Sequence, residues 1–116
     1  MQVRFATNKI KKTFKDLNSL KKAYNECALK VGQRYNELVA ALNVSEVKRM
    51  WQVNGFHELT QNLKEVFSID VSGKFRMLFK PDYTKEGTPR REDGKLDYDK
   101  IDKVVITDPK TNKTHE

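Results

Sequence analysis

Apolar residues in the first half of the chain recur with the spacing of helices, after a short segment that alternates like a strand. In residues 2–6, Val3 and Phe5 alternate with Arg4, which predicts a short β-strand. Two amphipathic helices are predicted next, because apolar residues then return every three or four positions. The first helix carries Ile10, Phe14 and Leu17, a break is expected at Asn18 and Ser19, and the second helix carries Leu20, Tyr24, Cys27, Val31, Tyr35, Leu38 and Leu42.

The second half of the chain shows the two-residue period of strands. Large apolar residues occupy every second position of the runs 67–71 and 75–79, on either side of residues 72–74, which predicts a β-hairpin. A three-residue turn pairs the apolar residues of the two runs with each other, whereas a two-residue turn would mix apolar and basic residues on one face. We therefore expect the three-residue turn, with Asp70 opposite Arg76 on the second face. The expected apolar pairs are Val71–Phe75, Ile69–Met77 and Phe67–Phe79.

The remaining segments complete an α+β architecture. Residues 81–100 are polar and contain two of the three prolines and two of the five glycines, which predicts a long loop or extended turn. Residues 103–107 contain the apolar run of a buried strand, and residues 109–116 are expected to form a polar tail that frays at its end. The prediction is one domain over residues 1–116, with a short N-terminal strand and two helices packed on one face of a small, mainly antiparallel sheet.

Charge and composition narrow the possible partners. The net charge is +7, and it resides in residues 1–64, which hold 12 basic and 5 acidic residues, whereas residues 65–116 hold 11 of each. A basic half suits a polyanion or an acidic partner protein, and a merely solvated helix face is the alternative. With a mean hydropathy of −0.79 and no apolar leader after Met1, we expect no membrane span, no secretory signal and a cytoplasmic location. The single cysteine, Cys27, excludes an internal disulfide framework, and no metal or other cofactor is predicted.

Three segments resemble the HigB-like branch of the RelE/ParE toxins. They are the run Asn54-Gly55-Phe56-His57-Glu58-Leu59, the hairpin at residues 68–79, and the run Val104-Val105-Ile106-Thr107-Asp108. The family shows P-G-N-x-H-x-L, then S-I-x-V-S-G-x-W/Y-R-I/L-x-F, and a closing strand that ends in V-D-Y-H or V-N-Y-H. The resemblance implies a RelE-like fold and the toxin of a bacterial type II toxin–antitoxin pair, typically a ribosome-dependent endoribonuclease that cuts mRNA.

Metal-free RNA cleavage needs a base for the 2′-OH, an acid for the departing 5′-oxygen and cations for the phosphoryl charge. Arg76 is expected to clamp phosphate with its planar guanidinium, and the alternative is an exposed cross-strand ion pair with Asp70. His57 matches the family histidine and is expected to transfer protons, although a lone histidine is often structural. Asp108 and Lys110 are expected to contribute from the closing strand. The lysines expected to bind the RNA backbone are Lys11, Lys12, Lys64, Lys74 and Lys80.

The closing motif departs from the family pattern. The chain reads Asp108-Pro109-Lys110 where the family has Asp or Asn followed by Tyr and His. Pro109 removes an aromatic ring that could stack on a base, and Lys110 replaces an imidazole with an ammonium group that loses its proton only at much higher pH. His115 could substitute if the tail folds back.

The resemblance also implies partners: a cognate antitoxin that is acidic or a dimeric DNA-binding protein, mRNA, and the RNA of the ribosome. Two other functions are possible on the same fold. One is a ParE-like inhibitor that acts on DNA gyrase by binding protein, and the other is a catalytically degenerate relative that only binds its antitoxin.

Overall fold

The computed structural model describes residues 1–51, 55–59 and 65–113. Within them the chain forms five strands and four α-helices, with a 3₁₀ turn at Asn25–Cys27. The strands are β1 (Gln2–Phe5), β2 (Phe56–Leu59), β3 (Val66–Ser72), β4 (Phe75–Pro81) and β5 (Lys103–Asn112). The helices are α1 (Asn8–Thr13), α2 (Leu17–Tyr24), α3 (Ala28–Ala40) and α4 (Val44–Trp51).

The five strands form one mixed sheet in the order β1-β5-β4-β3-β2. β1 pairs parallel with β5, and the other neighbouring pairs are antiparallel. The predicted α+β class is confirmed. The predicted hairpin and the strand at residues 103–107 were an incomplete account of the sheet next to β1, because β2 adds an outer strand beside β3, with Phe56 opposite Ile69. The apolar pattern of β2 is too short to separate it from a loop by periodicity alone.

One face of the sheet forms the core with the helices. Alternate residues of β3 and β4 point to this face, and the side chains of Phe67, Ile69, Met77 and Phe79 are fully buried there. Helices α3 and α4 contribute further buried residues to the same cluster. Cys27 belongs to this cluster, as expected for a small buried apolar side chain. The members from α3 and α4 are Val31, Leu38, Val44 and Val47, and Tyr24 of α2 belongs to the same cluster.

The helix boundaries differ from those predicted. The first break lies before Leu17, where Asp16 accepts a hydrogen bond from the backbone N–H of Ser19 at 2.8 Å, so Ser19 lies inside α2 rather than at a break. The predicted long second helix is interrupted at Asn25, whose φ of 53° and ψ of −126° lie outside the helical region. Apolar periodicity continues across this break, which is why the pattern did not reveal it.

The hairpin pairs the predicted apolar residues but closes differently. Phe67 lies opposite Phe79, Ile69 opposite Met77, and Asp70 opposite Arg76, as predicted. The prediction of a three-residue turn was wrong, because Ser72 rather than Val71 lies opposite Phe75 and a β-bulge follows Asp70. The extra residue in the bulge keeps Val71 buried while the chain reverses over two residues.

The closing strand is longer than predicted. Residues 108–112 continue β5 instead of starting a frayed tail, and Thr111 lies opposite Arg76. Two register shifts in the β4–β5 pair accommodate the irregular sequence around Pro109. Pro109 lies beyond the last residue that pairs with β1, at a position where a residue without an N–H is tolerated.

The polar connection 81–100 has local structure and contacts the core. It contains a bridge between Arg90 and Leu96, closed by a turn in which Gly94 has φ 85°. Leu96 is buried, and the hydroxyl of Tyr98 donates a hydrogen bond to the Glu58 carboxylate of β2. Burial, together with that carboxylate, raises the pKa of Tyr98, so it stays protonated as a donor at neutral pH.

No helix in the part of the chain that the structure describes is both long enough and apolar enough to cross a bilayer.

The backbone at Asn25 leads to a stability prediction. Glycine adopts positive φ without steric cost, so Asn25→Gly should raise the free energy of unfolding by about 1 kcal/mol and the Tm by a few degrees. Asn36→Gly, the same change at an exposed site inside α3, should lower the Tm because glycine is a poor helix former. Thermal unfolding of the two variants tests this, and a Tm that falls equally in both would contradict it.

Candidate functional site

The face of the sheet that points away from the helices, here called the distal face, carries the candidate chemistry. Ser68 and Asp70 of β3 alternate with the core residues and therefore lie on it, as do Arg76, Leu78 and Lys80 of β4. The antiparallel register sets Asp70 directly opposite Arg76. The same alternation that builds the core thus places an arginine at the centre of the opposite face.

Arg76 is buried, and two nitrogen atoms of its guanidinium have no hydrogen-bond partner. Its side chain is only 5% exposed, and its Nε and Nη2 atoms have no hydrogen-bond partner. A guanidinium stays charged at any physiological pH, and burying a charged group without partners is costly. Such a group attracts an anion that fits its planar fork, and phosphate and carboxylate both do.

The cross-strand ion pair with Asp70, which was the alternative role for Arg76, is not formed. The Asp70 carboxylate instead binds the ammonium of Lys113, with 2.9 Å between Oδ1 and Nζ. The backbone of Asp70 is held independently, since its N–H donates to the carbonyl of Gly55 at 3.1 Å and its carbonyl accepts from Arg34 Nε at 2.6 Å. The side chain that could neutralise Arg76 is therefore present but occupied.

Asp108 and Lys110 lie in the irregular part of β5 next to Arg76. Asp108 lies opposite Leu78, and its carboxylate accepts a hydrogen bond from the Lys110 backbone N–H at 3.1 Å. The Lys110 ammonium lies 4.4 Å from the centre of the Phe75 ring. Because Phe75 and Arg76 are consecutive in β4, they point to opposite faces, so the Lys110 ammonium is directed away from the guanidinium.

Asp108 also influences Tyr24. Burial raises the pKa of the Tyr24 hydroxyl, the hydrogen bond to Thr13 lowers it, and the Asp108 charge raises it further. The Thr13 Oγ1 and Tyr24 hydroxyl oxygens are 2.9 Å apart. Because the net shift is upward, Tyr24 is protonated at neutral pH and is not a source of a basic oxygen.

His57 shares the distal face with Arg76 but lies on the outermost strand. It is exposed and lies opposite Ser68 of β3. Arg76 is two strands away and two residues further along the sheet. Standard strand spacings then put the Cα atoms of His57 and Arg76 about 12 Å from each other. The two candidates therefore lie on the same face of the sheet without direct contact, His57 exposed and Arg76 buried.

The four predicted RNA-binding lysines that the structure describes do not form one surface. Lys74 is in the hairpin turn with its ammonium 5.6 Å from the centre of the Phe75 ring, and Lys80 is at the other end of β4. Lys11 and Lys12 are exposed on α1, which packs on the opposite side of the sheet. Lys64 and His115 lie outside the described residues, so their predicted roles stay predictions.

Lys113 is the residue of this site that the sequence analysis missed. Its position in a polar segment after Pro109 suggested a frayed tail, yet its N–H donates to the carbonyl of Lys74 at 3.0 Å and continues the ladder. The available signal was the spacing of Thr111 and Lys113. Side chains two residues apart in a strand lie on the same face of the sheet.

The neighbourhood of Arg76 therefore consists of Asp70, Lys113 and Thr111 on its own face, with Asp108 and Lys110 adjacent in β5. The structure brings Arg76 close to the closing-strand candidates and leaves His57 at the sheet edge. Comparison of the chain with protein-family models, with curated proteins and with solved structures found no match.

Proposed function

We propose that this protein is a RelE-like toxin of a type II toxin–antitoxin system that cleaves mRNA on the ribosome without a metal ion. The observation that carries the proposal is the buried guanidinium of Arg76, whose Nε and Nη2 have no partner in a fold that could have paired it with Asp70. An arginine kept unpaired at such a cost is best explained by an anionic ligand. The hairpin motif that resembles the HigB-like toxins contains this arginine.

A phosphodiester is the ligand that fits both the arginine and the resemblance. In metal-free cleavage the 2′-OH attacks the adjacent phosphorus, the bond to the 5′-oxygen breaks, and negative charge builds on the non-bridging oxygens. Arg76 would hold those oxygens with two parallel N–H donors from its planar fork. Because β4 is flanked by β3 and β5, the backbone of Arg76 is rigid, and this favours fixed geometry over flexible capture.

Proton transfer is assigned to His57, with Asp108 and Lys110 as contributors from the closing strand. Histidine is the side chain that gains and loses protons near neutral pH, and His57 is solvent-exposed on the same face as Arg76. An RNA strand laid across the distal face would extend from β4 towards β2 and so pass both residues. Asp108 orders the Lys110 backbone through its hydrogen bond, so its contribution would be to hold this part of β5 in place beside β4.

The distribution of lysines suits a large RNA partner. Lys11 and Lys12 on α1, Lys74 in the hairpin turn and Lys80 at the end of β4 point to different sides of the molecule. A ribosomal cavity surrounds its ligand with phosphates, so cations on several sides can be used at once. The same excess of positive charge would favour an acidic antitoxin in the absence of the ribosome.

A second candidate function is a ParE-like inhibitor that binds DNA gyrase, or a degenerate relative that binds only its antitoxin. The observation that favours it is the separation of His57 from Arg76 by two strands, together with a closing motif in which Lys110 is directed toward Phe75. In this case Arg76 would bind a carboxylate of a partner protein rather than a phosphate.

Expression of the chain alone in bacteria separates these functions. We expect growth arrest accompanied by new mRNA 5′ ends, with plasmid supercoiling unchanged. Altered supercoiling with intact mRNA would contradict the nuclease proposal and favour gyrase inhibition. Normal growth with neither change would favour the degenerate relative.

Arg76→Met should abolish cleavage while making the protein more stable. Removing an unpaired buried charge and keeping a side chain of similar length should raise the free energy of unfolding by about 1–3 kcal/mol. Urea unfolding measures the stability, and cleavage is followed on a programmed ribosome. Arg49→Met, the same change at an exposed position of α4, should alter stability by less than about 0.5 kcal/mol. If Arg76→Met is strongly destabilised, the arginine is mainly structural.

His57→Ala should reduce cleavage by on the order of 100-fold and leave ribosome binding unchanged, because it removes the proton-transfer group and no core contact. Lys110→Ala should reduce cleavage no more than His57→Ala does. Single-turnover cleavage on programmed ribosomes, with binding measured by pelleting, separates lost chemistry from lost affinity. Cleavage at the wild-type rate by His57→Ala would show that another group moves the proton.

A further inference from the structure

Asp70 has two cationic neighbours on the distal face and uses only one. Its carboxylate binds Lys113 at 2.9 Å, although Arg76 lies directly opposite it in the β3–β4 ladder. Directly opposed residues of an antiparallel pair have Cβ atoms about 5 Å apart, which is within reach of a carboxylate–guanidinium pair. Pairing with Arg76 would also satisfy the buried Nε and Nη2 atoms.

The Lys113 side chain reaches Asp70 by crossing over β4. Lys113 follows the last residue of β5, and β4 lies between β5 and β3 in the sheet. β3 and β5, the two neighbours of β4, are about 10 Å apart. The lysine and aspartate side chains together therefore span the face of β4 beside Arg76. The N–H of Lys113 donates to the Lys74 carbonyl, which fixes the origin of this bridge next to the hairpin turn.

The Asp70–Lys113 ion pair determines whether a carboxylate neutralises Arg76. Side chains of Asp70 and Lys113 are 28% and 33% exposed, so their attraction is only partly screened by water. Without Lys113, the most favourable partner of the Asp70 carboxylate is the adjacent guanidinium, because pairing removes the cost of an isolated buried charge. Arg76 would then be neutralised, and a phosphate approaching it would also meet a negative carboxylate.

We infer that Lys113 is a positioning residue that holds the Asp70 carboxylate away from Arg76 and so keeps the guanidinium available for an anionic ligand. The inference rests on the proposed role of Arg76 in binding phosphate, and it adds a residue from the C-terminal segment to that site. The backbone of Asp70 has its own support, because Arg34 Nε donates a hydrogen bond to the Asp70 carbonyl at 2.6 Å.

The test measures binding of a short, fluorescein-labelled polyuridine RNA by fluorescence anisotropy on the full chain, in Lys113 variants with and without a second substitution at Asp70. Lys113→Ala should weaken binding by about tenfold or more, the usual effect of losing one charge-assisted bond. Lys113→Arg should bind like the wild type. Asp70→Asn in the Lys113→Ala background should restore binding, because the competing carboxylate is gone while the net charge equals that of the wild type.

Lys100→Ala is the matched control, since it removes one positive charge from an exposed position of the long loop. It should bind RNA like the wild type. If Lys113→Ala and Lys100→Ala bind equally, or if Lys113→Ala binds more tightly than the wild type, Lys113 does not protect Arg76 and the inference is wrong. If the double variant stays as weak as Lys113→Ala, the lysine contributes charge or structure directly, which also overturns the inference.

Arg76→Met in the same assay separates this inference from the proposed function. Loss of binding in Arg76→Met with no effect of Lys113→Ala would overturn only the role of Lys113. Unchanged binding in Arg76→Met would instead overturn the role of Arg76, and with it the reason for protecting the guanidinium. Thermal unfolding of each variant confirms that the measured protein is folded.

Discussion

The antiparallel pairing of β3 with β4 is the constraint on which the rest of the molecule depends. Because side chains alternate between the two faces of a strand, the pairs Phe67–Phe79 and Ile69–Met77 fill the core, and the intervening pair Asp70–Arg76 must lie on the distal face. A shift of one residue would expose the core and bury the charges. The hydrophobic effect therefore fixes the position of the candidate site even though no apolar residue takes part in it.

The burial of Arg76 makes the candidate site a destabilising element of the fold. A guanidinium that is 5% exposed and has unpartnered donors lowers the free energy of unfolding, and the nearest carboxylate is committed to Lys113. The core on the opposite face tolerates this cost because it is densely filled by aliphatic and aromatic side chains. Such an arrangement is typical of sites where binding of a ligand supplies the missing partner.

The two faces of the sheet also divide the charge of the chain. The helices carry most of the unbalanced lysines, whereas the distal face carries the buried Arg76, the Asp70–Lys113 ion pair and the exposed Lys80. Broad electrostatic attraction and specific anion recognition are thus located on different surfaces. This division is compatible with a partner that surrounds the protein, and it allows an acidic protein to bind the helices without contacting Arg76.

The period of the apolar pattern by itself determined the α+β class, the hairpin, two of its three apolar pairs and the placement of Arg76 opposite Asp70. These features depend on which face of an element is apolar, and that information is local. The break at Asn25, the outer strand β2 and the bulges were decided by tertiary contacts, because a continuous apolar stripe is compatible with either a broken or an unbroken helix. The sequence also could not decide between two partners for Asp70. That choice depends on the continuation of β5 past Pro109, which brings Lys113 across β4 and leaves Arg76 unpaired.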